Sequence, residues 1–382
     1  MSAFTPFRAL IPDDVLIELR QRLARTRFTE DLPGVGWDDG TPAAHLREQV
    51  DHWLHRFDWR AQEARLNAFP QLTTEVDGAT VHLLLVRSPE PDATPAILSH
   101  GWPGTVFEWL DVLGPLSDPR AHGGDPATAL HLVVPSLPGY AFSGPTRQRG
   151  WGVERIADAW VAVMTRLGYE RFFAIGNDWG SSISLALARK YPGRLLGAHV
   201  TQIFDSVANA AARLSEPSPE ERRAIEGAAW FEANMSAYQR VHEQQPISLA
   251  HALADSPAGL LGWLNIVFRG GMDLDFVLTQ ATALWTTGTV GSALRLYREA
   301  FRELGPHGLL PHLPPSTVPV ALAGFANDTV SIRRLAAEVH RNIVAWNAYN
   351  DGSHWAAHSA PETWLADVRA FVRGLRPARL GG

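Results

Sequence analysis

Between residues 171 and 189 the chain reverses direction within a few residues. Arg171-Phe172-Phe173-Ala174-Ile175 is an apolar run of buried-strand length, and Ser181 to Arg189 has helical character. Gly176-Asn177-Asp178-Trp179-Gly180 joins the two. Small residues two before and two after the centre let a strand turn straight into a helix, with the middle side chain presented at the sheet's edge. An aspartate holds that place, where this local pattern more often carries a serine. A carboxylate is ordinarily ionised near neutral pH and can attack carbon without first losing a proton. Aspartate is also a common cap of a following helix, so the motif alone leaves both roles open.

The surrounding sequence alternates in the way such a turn requires. Residues 1–70 read as a helical extension: Pro12-Asp13-Asp14 opens one helix, and amphipathic stretches follow at 43–57 and 60–67. Leu72 to Val76, an Asp77-Gly78 turn and Thr80 to Val86 form a hairpin signal. Buried strands are expected at 96–99, 130–134, 171–175 and 196–200, with helices at 106–116 and 153–167 between them. Strand alternating with helix indicates an α/β class protein with a mostly parallel sheet covered on both faces. From about residue 205 to 312 the alternation gives way to helical periodicity with no convincing strand. Strands at 318–323 and 342–346 and a helix over 360–375 complete the pattern. The expected organisation is therefore an extension (1–70), a core in two parts (71–204 and 313–382) and a helical cap (205–312) inserted after the sixth core strand.

Composition removes whole classes of chemistry. With no cysteine there is no disulfide, thiolate metal site or catalytic thiol. A net charge of −6 without a basic run argues against nucleic acid or an anionic membrane as partner. The opening Met1-Ser2-Ala3-Phe4-Thr5-Pro6-Phe7-Arg8 lacks the layout of a signal peptide, and no apolar stretch is long enough to span a bilayer. A cytoplasmic protein is expected; its oligomeric state is open, a homodimer included.

An elbow nucleophile needs a base, a group to orient it and donors for an oxyanion, in the chain order nucleophile, acid, histidine. His354 lies after the last strand, with His358 as fallback. Asp328 follows the penultimate strand, where the acid belongs, although it could equally cap a helix; Asp351 is nearer His354 in sequence but sits on the wrong loop. His100-Gly101-Trp102-Pro103-Gly104 follows a buried strand, so the backbone N–H groups of Trp102 and Trp179 are the expected oxyanion donors, with His100 anchoring the loop. Attack by a carboxylate gives an alkyl ester, which suits opening an epoxide or displacing a halide. Epoxide opening also needs a proton donor from the cap. Tyr238 and Tyr297 fall there, and spacing alone does not separate that role from packing.

These motifs together resemble the microsomal-type epoxide hydrolases over nearly the whole chain. The likeness rests on Phe57 to Asn67 with Phe69-Pro70-Gln71, on His100-Gly101-Trp102-Pro103, on Pro135-Ser136-Leu137-Pro138-Gly139-Tyr140-Ala141-Phe142-Ser143, and on the segments around Asp178 and His354. The resemblance implies an α/β-hydrolase fold with an eight-stranded sheet, an epoxide as substrate, a vicinal diol as product, and neither cofactor nor metal. It implies Asp178 as nucleophile, His354 as base, Asp328 as acid, and Tyr238 and Tyr297 as the cap's proton donors. Two departures are visible: Ser353 stands where a glycine is usual, and the acid is Asp where relatives often use Glu. Among members the chain looks most like bacterial ones, including those of actinomycete natural-product pathways such as the enediynes. Trp230, Trp263, Phe268, Phe276 and Trp285 are candidates to line a pocket for a bulky aromatic epoxide, or else simply core of the cap. The rival readings are a haloalkane dehalogenase, which would hold halide on the indoles of Trp179 and Trp102, and a hydrolase-like binding protein that has lost turnover. A serine esterase is excluded at this elbow because Ser181 and Ser182 lie inside the helix.

Overall fold

The computed structural model describes residues 4–204, 210–269, 271–305 and 308–375. The expected cap boundary at 205 and the opening Met1-Ser2-Ala3 lie outside these residues. The strands, in chain order, are β1 (Thr5–Phe7), β2 (Gln71–Val76), β3 (Ala79–Val86), β4 (Thr94–Ser99), β5 (Leu130–Pro135), β6 (Phe172–Gly176), β7 (Leu195–Val200), β8 (Leu304–Gly305), β9 (Gly308–Leu309), β10 (Val320–Gly324) and β11 (Ile343–Ala348).

Nine of them form one sheet in the order β1-β2-β3-β5-β4-β6-β7-β10-β11. The pairs β1–β2, β2–β3 and β3–β5 are antiparallel; every later pair, from β5–β4 to β10–β11, is parallel. Strands covered on both faces read as nearly continuous apolar runs. Ala96-Ile97-Leu98, Leu132-Val133-Val134 and Phe172-Phe173-Ala174-Ile175 do so, and all are buried. Helices Val153–Arg166, Trp179–Lys190 and Pro361–Leu375 cover the faces, the first through an apolar stripe of Ile156, Trp160 and Val163. This is the α/β-hydrolase architecture.

The sheet differs from expectation in one respect. Eight strands come from the core, and the ninth, β1, comes from the extension expected to be wholly helical. It was hard to read because it spans three residues around Pro6, a residue tolerated in a sheet only at an edge. Phe7 holds it in place, packing its ring 5.0 Å from His82 and 5.6 Å from Phe142. Inside the segment expected to be purely helical there is also a two-residue ladder, β8 with β9. Four residues in two strands leave no periodicity to detect.

Between β7 and β10 the described residues carry helices, the longest being Pro219–Asn234, closed by a Ser218/Glu221 capping box. None is long and apolar enough to cross a membrane. The extension grips this insertion. Gln49 and Asn265, both buried, exchange amide hydrogen bonds of 3.3 and 2.5 Å. Arg22 meets Asp255 at 2.6 Å, His52 meets Asp275 at 2.7 Å, and the Thr41 hydroxyl donates to the Gly262 carbonyl at 2.8 Å.

The turn after β6 depends on two close backbone approaches. A Cβ added at Gly176 would fall 2.1 Å from the Gly180 carbonyl oxygen, and one at Gly180 would fall 1.8 Å from that of Ser99. Both are main-chain atoms and cannot step aside cheaply. Gly180→Ala is therefore expected to destabilise the fold by about 3 kcal/mol or more. Urea unfolding followed by tryptophan fluorescence checks this; a midpoint equal to that of the parent protein would mean that the close packing is absent.

Candidate active site

Asp178 sits at the tip of the turn with φ 55° and ψ −123°, a backbone region that non-glycine residues occupy only under strain. The conformation is held from two sides. Its N–H donates to Gln202 Oε1 at 2.8 Å, and its Oδ1 accepts from the Trp102 N–H at 2.7 Å. Gly101 makes that approach possible, since a Cβ there would lie 2.0 Å from Oδ1. Trp179 opens the following helix, so its N–H has no intrahelical acceptor and contributes to the positive end of the helix dipole. His100 anchors the same loop, as expected. Its Nδ1–H donates to the Gly101 carbonyl at 3.0 Å, and its Nε2 accepts from the Leu137 N–H at 3.1 Å. Burial lowers its pKa to about 4, so the ring is neutral.

The ends of β6, β10 and β11 bring three distant residues together. His354 Nδ1–H donates to Asp328 Oδ1 at 2.8 Å, and its Nε2 faces Asp178 Oδ2 at 3.5 Å. Burial works against charge on this imidazole, yet the Asp328 and Asp178 carboxylates outweigh it and raise its pKa well above the ordinary histidine value. The two carboxyl groups thus favour the charged form of the ring over the neutral one. The two nearby alternatives are engaged elsewhere: His358 bonds Asp111 at 2.9 Å, and Asp351 accepts from the Thr363 hydroxyl at 2.7 Å.

Aromatic rings roof the site. Tyr238 and Tyr297, from helices Ala237–Gln244 and Val290–Phe301, are both buried with ring centres 6.0 Å apart. Tyr238 stacks on Trp102 at 5.2 Å, and Tyr297 meets Trp179 edge-on at 4.8 Å. Burial pushes both phenols well above the ordinary tyrosine value, with the charge of Asp178 adding to it. Both therefore keep their protons at neutral pH. His242 fills the gap between Trp102 and Tyr297, accepting from Trp263 Nε1 at 2.9 Å, and burial keeps it neutral with a pKa of about 3.

The other cap aromatics divide. Phe268 and Phe276 pack against Trp355, the neighbour of His354. Trp285 lies beneath the Arg22 guanidinium, at the contact with the extension. Trp230 is 57% exposed and lines nothing, because its helix turns that face to solvent.

Three site residues were not legible in the sequence. Gln202, fully buried just beyond β7, takes the Asp178 N–H on its oxygen and donates through Nε2 to Asp328 Oδ2 and, at 3.1 Å, to Asn177 Oδ1. Asp178 and Asp328 are thereby fixed through one amide. Asn177 in turn donates through Nδ2 to Glu108 Oε1 at 3.4 Å. The available signals were a polar pair at the carboxyl end of a parallel strand, where ligands of open α/β sheets gather, and a lone charge in the apolar run Val106-Phe107-Glu108-Trp109.

Comparison with known proteins places the chain among the epoxide hydrolases. Residues 4–109 match the family described as "Epoxide hydrolase N terminus", and residues 94–268 match "alpha/beta hydrolase fold". A protein of Stigmatella aurantiaca assigned to the epoxide hydrolases is 36% identical over 97% of this chain and 85% of its own length. Epoxide hydrolase 1 of Sus scrofa is 28% identical over 96% of this chain and 88% of its own. The solved Aspergillus niger epoxide hydrolase superposes with a TM-score of 0.84 at 28% identity, covering 97% of this chain and 96% of that one.

Removing one of the two anions beside His354 must lower its pKa, because the charged form loses a partner. Asp178→Asn is expected to shift the imidazole titration downward in histidine-labelled NMR spectra. A titration unchanged from the parent would show that the 3.5 Å pair contributes nothing.

Proposed function

Since this chain belongs to the microsomal-type epoxide hydrolases, we propose that it hydrolyses its epoxide in two covalent steps through an ester on Asp178. The observation that carries the reading is His354 placed between Asp328 and the elbow carboxylate, at 2.8 and 3.5 Å, beneath the paired rings of Tyr238 and Tyr297. In the first step the tyrosine hydroxyls bind the epoxide oxygen. Oδ2 of Asp178 attacks one ring carbon, the ring C–O bond breaks, and a tyrosine proton goes to the departing oxygen. Oδ1, held by the Trp102 N–H, becomes the ester carbonyl oxygen.

That step changes the base. Esterification removes the charge of Asp178, one of the two anions that keep His354 protonated, so its pKa falls. The imidazolium proton makes good the one the tyrosine gave up, and a neutral base remains. Water then attacks the ester carbon while His354 Nε2 takes a proton, and Asp328 stabilises the returning imidazolium. The oxyanion forms between the N–H groups of Trp102 and Trp179. Collapse breaks the acyl C–O bond, His354 passes its proton to the leaving alkoxide to release the diol, and the proton of the new Asp178 carboxyl then restores the imidazolium.

The aromatic roof around Asp178 suits a substrate that carries a ring, so a bulky aromatic epoxide, with neither metal nor cofactor, belongs to the same proposal. A cytoplasmic setting belongs to it too. Kinship with actinomycete natural-product enzymes is part of the same proposal; one bacterial relative is from Stigmatella aurantiaca.

The test is a single turnover in H2(18O) with styrene oxide and an aliphatic epoxide. The label is expected in the Asp178 carboxylate and not in the diol. Asp178→Asn is expected to form no diol, and Tyr238→Phe and Tyr297→Phe each to slow ester formation by roughly 100-fold. Label appearing directly in the diol would overturn the covalent mechanism. Halide released from haloalkanes with no diol from epoxides would overturn the substrate class.

A further inference from the structure

One buried carboxyl beside the nucleophile has no part in the steps above. Glu108 stands in the 3₁₀ turn Val106–Trp109, directly after the oxyanion loop, and is 3% exposed. Its Oε1 receives the weak bond from Asn177 at 3.4 Å. Its Oε2 is fully buried with no hydrogen-bond partner among the described residues. An unsatisfied buried carboxyl oxygen costs free energy, so its retention calls for an explanation.

The surroundings are built for it. Gly104 leaves the space, since a Cβ there would fall 2.1 Å from Oε2. The cleft it shares with Asn177 is walled by Trp109, Trp355, Ala357 and Trp364, which exclude bulk solvent. Burial pushes the carboxyl well above the ordinary glutamate value; the His354 charge and Asn177 pull it back, and Asp178 pushes it further up. Asn177, the residue before Asp178, ties Glu108 to the same turn, and one loop leaves the space for both carboxyls, Gly101 for Asp178 Oδ1 and Gly104 for Glu108 Oε2.

We propose that Glu108 is a positioning residue for ester hydrolysis, its free Oε2 accepting one hydrogen of the attacking water while His354 Nε2 takes the other. The inference rests on the Asp178-ester reading. The water oxygen bonds to Cγ of Asp178, one proton passes to His354 and on to the leaving alkoxide, and the acyl C–O bond breaks. The second hydrogen is only oriented by Glu108 until it passes from the new Asp178 carboxyl to the now neutral His354, which restores the imidazolium, so Glu108 ends the cycle unchanged. Epoxide opening uses no water and makes no demand on this residue.

The Asn177 bond makes Glu108→Gln informative. The glutamine carbonyl takes the place of Oε1 opposite Asn177, and its NH2 then replaces the free oxygen, presenting a donor where an acceptor is required. With styrene oxide, rapid-quench kinetics and mass spectrometry of the Asp178 peptide separate ester formation from ester breakdown. In Glu108→Gln and Glu108→Leu, formation is expected within about threefold of the parent and breakdown slower by roughly 10- to 100-fold, so that ester accumulates. Breakdown unchanged in both variants would overturn the inference and leave the Asp178 mechanism intact. Formation and breakdown falling together, with a lowered melting temperature, would overturn it in favour of packing alone. A parent protein that never carries an ester on Asp178 would remove the mechanism and this inference with it.

Discussion

The chemistry of this molecule rests on a backbone contact. Gly180 presses against the main chain of β4, and no side chain fits between them. That contact starts a helix immediately behind β6 and forces Asp178 to a positive φ. The strain is held by bonds to its own N–H and Oδ1, from Gln202 and Trp102, so the residue that bears the reactive carboxylate is also among the most constrained in the chain. The parallel strands then deliver the rest. β10 and β11 run parallel to β6 on the far side of β7, and the loops after them bring His354 to face Asp178 and Asp328 to bond His354, from 150 or more residues away.

The electrostatics follow from that convergence. An imidazole buried alone would be neutral, as His100 and His242 are. Two carboxylates invert the outcome for His354. In the proposed cycle a base held protonated by the nucleophile cannot act before that nucleophile has been used, so the order of steps is written into charge, with no moving part required to enforce it.

The sequence made the frame readable. The elbow was visible because two glycines at fixed spacing sit between an apolar strand and a helix, and the meeting of Asp328 with His354 could be anticipated from their places after the last two core strands. What escaped had no local signature. β1 is three residues around a proline, and β8 and β9 are two residues each. Gln202, Asn177 and Glu108 form a network only when three strand ends meet, and none belongs to a recognisable spacing with the others. Periodicity could place Tyr238 and Tyr297 in the cap but could not tell a packed ring from a proton donor. Trp230 shows the same limit in reverse, as an apolar residue that faces solvent.

The reciprocal Gln49–Asn265 amide pair joins residues 216 positions apart and fastens the extension to the cap without passing through the sheet. Arg22, His52 and Thr41 add further ties along the same seam. Mechanically the cap is anchored twice, by its own two connections to the core and by a strap that begins as an edge strand of that core. Any displacement of helices Pro257–Phe268 and Leu274–Thr286 must shear those buried amides and ion pairs, so the N-terminal segment braces the insertion and is no mere appendage.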